Sequence, residues 1–76
     1  MAWSDEPTQA QLSGVYRLIE GTVPKDTLLA AMGYLEETAT RREVSNEMGR
    51  LRNLYIDHKL DKNNVFESEI WEDFKK

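Results

Sequence analysis

Thr40-Arg41-Arg42-Glu43-Val44-Ser45-Asn46-Glu47-Met48-Gly49-Arg50-Leu51 is the stretch on which the fold turns. Thr40 and Glu43 stand at capping-box spacing: the threonine hydroxyl accepts from the Glu43 amide while the Glu43 carboxylate reaches back to the amide of Thr40. From Val44 the apolar side chains recur at Met48, Leu51, Leu54 and Tyr55, with His58 next in line, which is the rhythm of one helical face. No proline follows before the chain ends, so the pattern predicts a long helix from Arg41 to His58.

Upstream, Thr8 and Gln11 form a second capping box, and Pro7 cannot belong to a helix interior, so a helix is predicted over Gln9 to Glu20. Leu12, Val15, Tyr16 and Ile19 line one face of it, and Gly21 sits where a left-handed cap belongs. After Thr22-Val23, Pro24 suits the first position of a second helix running to Glu36, with Asp26 favourable in its first turn. Its inward face is Leu28, Ala31, Met32 and Leu35, with Leu29 and Tyr34 on the margins. Gly33 costs about 1 kcal/mol relative to alanine, which indicates either a closely approaching neighbour, a bend, or a glycine that is simply tolerated. The short connections on either side of this helix predict that neighbouring helices fold back on each other.

Downstream, Leu60 to Asn64 has turn composition. Phe66, Ile70, Trp71 and Phe74 then recur at helical spacing, and Ser68 can cap a short helix over Glu69 to Phe74. A strand over Val65 to Glu67 stays open, because so short a run fits either state. The predicted fold is all-α: a compact three-helix bundle with a short C-terminal helix or docked aromatic tail, forming one domain over residues 1–76. Residues 1–6 are read as a frayed lead-in with Trp3 as their one large apolar side chain, and residues 64–76 as a lid. The predicted core is Leu12, Val15, Tyr16, Ile19, Leu28, Met32, Leu35, Val44, Met48, Leu51 and Tyr55, closed on one side by Phe66, Ile70 and Trp71.

With 76 residues, a domain buries only roughly 60% of its unfolded surface and has little material for a deep cleft. Hydrophobic residues at 39% beside 32% charged favour a packed core over a disordered chain. The chain has no cysteine and a single histidine, which excludes disulfides and thiolate nucleophiles and leaves almost nothing for an imidazole-based metal site. No apolar run approaches the roughly 20 residues of a membrane span, and the first residues lack the features of a secretory signal. The expectation is a soluble, unprocessed, cytoplasmic protein without cofactor or metal.

The formal net charge of -4 is unevenly placed. Residues 1–40 hold six acids and two bases, residues 41–62 six bases and four acids, and residues 63–76 four acids and two bases. A basic middle thus sits between acidic flanks. On a helical wheel of the third helix, Arg42, Ser45, Asn46, Gly49 and Asn53, with Arg41 and Arg52 toward one edge, gather away from Val44, Leu51 and Tyr55. Guanidinium and carboxamide groups in that arrangement can meet a phosphate backbone or a base edge. The ordinary alternative is a solvated face on which Glu43 and Glu47 pair with Arg50 within the helix.

His58, at the end of the apolar stripe, reads as a packing residue, since no serine, cysteine or paired acid completes a catalytic set beside it. The adjacent acids Glu36-Glu37 and Glu72-Asp73 point about 100° apart on a helix and share no site. An enzyme is not expected. Phe66, Ile70, Trp71 and Phe74 serve either as a core lid, the favoured reading, or as an acidic and aromatic segment that docks in a partner's groove.

The two helix starts, Thr8-Gln9-Ala10-Gln11 and Thr40-Arg41-Arg42-Glu43-Val44-Ser45, resemble a pattern in small uncharacterised helical proteins of bacteriophages, prophages and gut bacterial mobile elements. In that pattern a threonine-glutamine helix start is followed by a Thr-Arg/Lys-x-Glu-Ala-Ser helix, and Val44 stands here in place of the alanine. The resemblance covers roughly residues 7–55 and implies a phage or mobile-element setting, with no activity and no functional residue attached. The functional expectation is a non-enzymatic module that binds a protein partner. The alternative is a weak nucleic-acid-binding module using Arg41, Arg42, Asn46, Gly49, Arg52 and Asn53; scattered acids disfavour an acidic mimic of nucleic acid, and overall acidity disfavours non-specific nucleic-acid binding.

Overall fold

The computed structural model describes residues 3–75. Both capping boxes form. The Gln11 amide donates to the Thr8 hydroxyl at 3.1 Å and the Gln11 side chain accepts from the Thr8 amide at 3.0 Å, opening α1, Gln9–Ile19. The Thr40 amide donates to Glu43 Oε1 at 2.9 Å, opening α3, Arg41–Ile56. Gly21, at φ 85, turns the chain after α1 in a conformation that costs glycine nothing. Pro24 then caps α2, Lys25–Thr38.

A third capping box was hidden in the turn-like stretch after α3. Asp61 accepts from the amides of Asn63 at 2.8 Å and Asn64 at 3.0 Å, and Asn64 accepts from the Asp61 amide at 2.8 Å, which opens α4, Lys62–Val65. The strand considered for Val65 to Glu67 is therefore replaced by the end of α4, with Phe66 as its cap. A 3-10 turn, Glu69–Trp71, leads into α5, Glu72–Lys75. No strand occurs among the described residues, and the architecture is an all-α compact bundle. Its radius of gyration of 11.5 Å matches the value of about 11 Å for a compact chain of this length.

α1 lies in the middle, packed on both α2 and α3. The Gln11 side chain donates to the Arg41 carbonyl at 3.2 Å, Gly14 faces Met48, and Leu18 lines a groove with Arg52. The pairing advances along both chains together, so α1 and α3 run parallel. Fold-back of α3 onto its neighbour α2 was expected, but α3 makes its main packing with α1. Ala39 and Thr40 are both extended, at ψ 156° and 167°, and carry the chain away from α2 before α3 begins. A Cβ on Gly14 would stand 2.5 Å from the Met48 methyl, so the glycine makes room for that side chain. Gly33 has open space around it and needs neither a close neighbour nor any other contact.

Leu12, Val15, Ile19, Leu28, Leu35, Val44 and Leu51 are buried, as their periodicity predicts. Tyr16, Met32 and Met48 pack at the core margin, and Val23, Ala39 and Val65 join the core from connections and from α4. Tyr55 is a correction: it is 59% exposed, with Ile56 beside it at 64%. Because Gly14 stands opposite Met48 and Leu18 near Arg52, α1 ends before the last turn of α3, and Tyr55 and Ile56 project beyond it. His58 is also corrected, from packing residue to exposed cap. At φ 57 it ends α3 in the left-handed region, with its amide donating to Tyr55 at 3.1 Å and the Lys59 amide to Leu54 at 2.9 Å. These bonds satisfy carbonyls that the helix end would leave orphaned.

Leu51 is fully buried, so Leu51→Ala is expected to cost about 2 to 5 kcal/mol in urea unfolding; an unshifted midpoint would remove Leu51 from the core. Relieving a left-handed non-glycine residue is worth about 1 kcal/mol, and His58→Gly should raise the unfolding midpoint accordingly. A lowered midpoint would show that the imidazole makes a stabilising contact outweighing the backbone strain.

Candidate functional site: two flanks of the third helix

The first amides of a helix are ready donors for an anion. In α3 they are already engaged. The Arg41 amide donates to the Asp5 carbonyl at 2.9 Å, the Arg42 amide to the Trp3 carbonyl at 3.1 Å, and the Glu43 amide to the Thr40 hydroxyl at 3.3 Å. Residues 3–6, expected as part of a frayed lead-in, are thus bonded across the start of α3. Arg41 Nε donates to the Glu6 carbonyl at 2.9 Å, so this member of the predicted arginine face is tied to the chain's own backbone.

The other predicted face residues, Arg42, Asn46, Gly49, Arg52 and Asn53, are all exposed. Two shallow depressions run along one flank of this ridge and share Ser45. One is bounded by Trp3, Arg42, Ser45 and Asn46. The other lies between α1 and α3, over Gly14, Leu18 and Met48, with Arg17 and Arg52 at its edges. Asn53 borders neither. No aspartate or glutamate lines this strip, and no hydrogen bond or ion pair engages the side chains of Arg17, Arg42 and Arg52 among the described residues. Arg17, Leu18, Met48 and Trp3, which is 56% exposed, were not legible as members. Their place depends on α1 lying parallel to α3, which spacing within one helix does not reveal.

The opposite flank is acidic. Glu43, Glu47, Glu67 and Glu69 line a depression with Asn46, Arg50, Ser68 and Ile70. Glu47 was expected on a solvated face and is instead only 3% exposed. Arg50 Nε donates to it at 2.7 Å, a second guanidinium nitrogen pairs with the same carboxylate oxygen, and the Ser68 hydroxyl donates to the other oxygen. The guanidinium also donates to the Asn64 carbonyl at 2.8 Å and to the carbonyl of Val65. Arg50 and Glu47 are thus a clasp between α3 and the C-terminal segment, and they are not available to a partner.

That segment packs inward. Trp71 is fully buried and Phe66 is 7% exposed, while Ile70 and Phe74 lie at the core margin. Phe66, Trp71 and Phe74 have ring centroids 5.1 to 5.8 Å apart, and Tyr34 of α2 stands 5.5 Å from Phe74 and 6.3 Å from Trp71. Such ring pairs add about 0.5–1.5 kcal/mol each beyond their area burial. Among the described residues no group of three or more His, Cys, Asp and Glu could hold a metal ion, and no helix is long and apolar enough to cross a membrane.

No protein family, curated protein or solved structure matches the chain.

The clasp makes a stability prediction. Arg50→Ala would leave the Glu47 carboxylate buried and unpaired, a loss of about 3 kcal/mol, at the low end for such pairs because the Arg50 side chain is 29% exposed. Arg50→Ala combined with Glu47→Met should recover most of that loss in urea unfolding. Equal stability of the single and double variants would show that the buried charge is not the source of the cost.

Proposed function

We propose that the chain is a non-enzymatic protein-interaction module of phage or mobile-element origin that works in the cytoplasm and takes an acidic segment of a protein partner along the strip between α1 and α3. The observation that carries this reading is the composition of the strip: unengaged guanidinium groups of Arg17, Arg42 and Arg52, an apolar floor of Leu18 and Met48 with Trp3 at one end, and no acidic residue in its lining. Cations around exposed apolar surface suit a segment in which carboxylates alternate with aliphatic side chains. The setting rests on the resemblance of the two helix starts alone.

The nucleic-acid alternative draws on Arg41, Arg42, Asn46, Gly49, Arg52 and Asn53. It is weaker because Arg41 is engaged with Glu6, the helix-start amides are occupied, and the net charge is -4. Three arginines neutralise at most three phosphates, which gives a log–log salt slope of only about -2 to -3.

Fluorescence anisotropy with a labelled peptide of mixed glutamate and leucine, at about 20 mM salt where screening is weak, tests the reading. Binding should weaken roughly tenfold, about 1.4 kcal/mol, in the double variant Arg42→Ala, Arg52→Ala. Duplex or single-stranded DNA or RNA that binds in place of the peptide, and is lost in the same variant, would establish the alternative. Absence of peptide binding by the monomeric chain, with no second copy in the strip, would overturn the proposal.

A further inference from the structure

Resting on the reading of the α1–α3 strip as a protein-docking surface, we infer that its occupant is a second copy of this chain. The two flanks of α3 adjoin along a common line, since Asn46 borders both the basic strip and the acidic depression. On one side stand Arg17, Arg42 and Arg52 with Leu18 and Met48; on the other stand Glu43, Glu67 and Glu69 with the partly exposed Ile70. Rotation by half a turn about an axis running along that line lays the basic flank of each copy on the acidic flank of the other. The contact is closed and self-complementary, the commonest symmetry of soluble oligomers.

Two further observations fit this occupant. The one cation in the acidic depression, Arg50, is consumed by Glu47 and by the carbonyls of Asn64 and Val65, so it does not cancel the outward charge of Glu67 and Glu69. Beside that line, in the lining of the basic strip, a Cβ added at Gly49 would meet nothing within 4 Å, which leaves this part of the outer surface of α3 open to a second helix. A contact confined to two narrow flanks belongs to the small, transient class of interfaces, so the dimer is weak and salt-sensitive.

Sedimentation velocity over about 5 to 500 µM protein spans the range in which a micromolar dimer is resolved. At low salt the wild type should move from monomer to dimer across this range and return to monomer at high salt. The variants Arg17→Glu, Arg52→Glu and Glu67→Lys, Glu69→Lys change only exposed side chains, and each double variant alone should stay monomeric. Mixed in equal amounts, the two should form a heterodimer, because one copy is then acidic on both flanks and the other basic on both. Far-ultraviolet circular dichroism of each variant checks that the fold is kept; should either fail it, Gly49→Gln, which puts a better helix former on the open ridge, should abolish the dimer while preserving or raising the melting temperature.

A wild type that stays monomeric at the highest concentration, or charge-reversed variants that dimerise as it does, would overturn the inference. If the monomeric wild type still binds the acidic peptide through Arg42 and Arg52, only the identity of the occupant has failed. If neither the peptide nor a second copy binds, the docking reading of the strip falls as well.

Discussion

The buried carboxylate of Glu47 is the constraint that the C-terminal third of the chain accommodates. An ionised carboxylate removed from water carries a penalty of several kcal/mol unless it is paired and hydrogen-bonded. Here the pairing comes from Arg50, one turn further along α3, and from the hydroxyl of Ser68 in the C-terminal segment. Arg50 then reaches the carbonyls of Asn64 and Val65, which belong to the end of α4, where helix carbonyls lack intrahelical donors. One guanidinium thereby serves both the buried acid and the carbonyls at the end of a four-residue helix. Aromatic burial supplies the apolar drive for docking the tail, but it is only weakly directional. The clasp fixes which residues meet which, and so brings Trp71 and Phe74 against Tyr34. The indole N–H of Trp71 finds no acceptor among the described residues, so the polar contacts that set the register of the tail come from the clasp.

What the sequence made legible is the part governed by local rules. The boxes at Thr8 and Thr40 close within three residues, and the apolar periods of α1, α2 and the first three turns of α3 select the buried face correctly. Errors begin where one element's fate depends on the length of another. Tyr55 keeps the period of α3, yet α1 ends before reaching it. His58 continues the same stripe by number, although the helix has already turned into its left-handed cap. Glu47 shows the opposite error: spacing identifies its partner Arg50, but nothing local announces that Ser68, twenty-one residues away, closes over the pair.

The four arginines of α3 show why composition reads poorly as function. Arg41 and Arg50 both donate to backbone carbonyls, of Glu6 in one case and of Asn64 and Val65 in the other, and so tie the two ends of the chain to the same helix. Only Arg42 and Arg52 remain for a partner. The local surplus of positive charge counted along residues 41–62 is therefore largely structural. The cation that completes the outward strip, Arg17, comes from the segment that looked acidic.

This sorting divides α3 lengthwise. The N-terminal segment occupies the amides at its start, the C-terminal segment covers its acidic margin, and α1 leaves a cationic margin facing outward. A net charge of -4 suggests uniform repulsion between copies, but screening confines the interaction of exposed charges to roughly 8–10 Å at ordinary salt. Over that distance the separation between the two flanks matters more than the total. A surface carrying opposite charges on either side of one line can attract its own image even when the molecule as a whole is acidic, provided each copy is rotated so that the flanks exchange. Arg50 makes that possible by being absent from the charge balance of the flank on which it stands: with its guanidinium turned inward to Glu47, the acids around it keep their field.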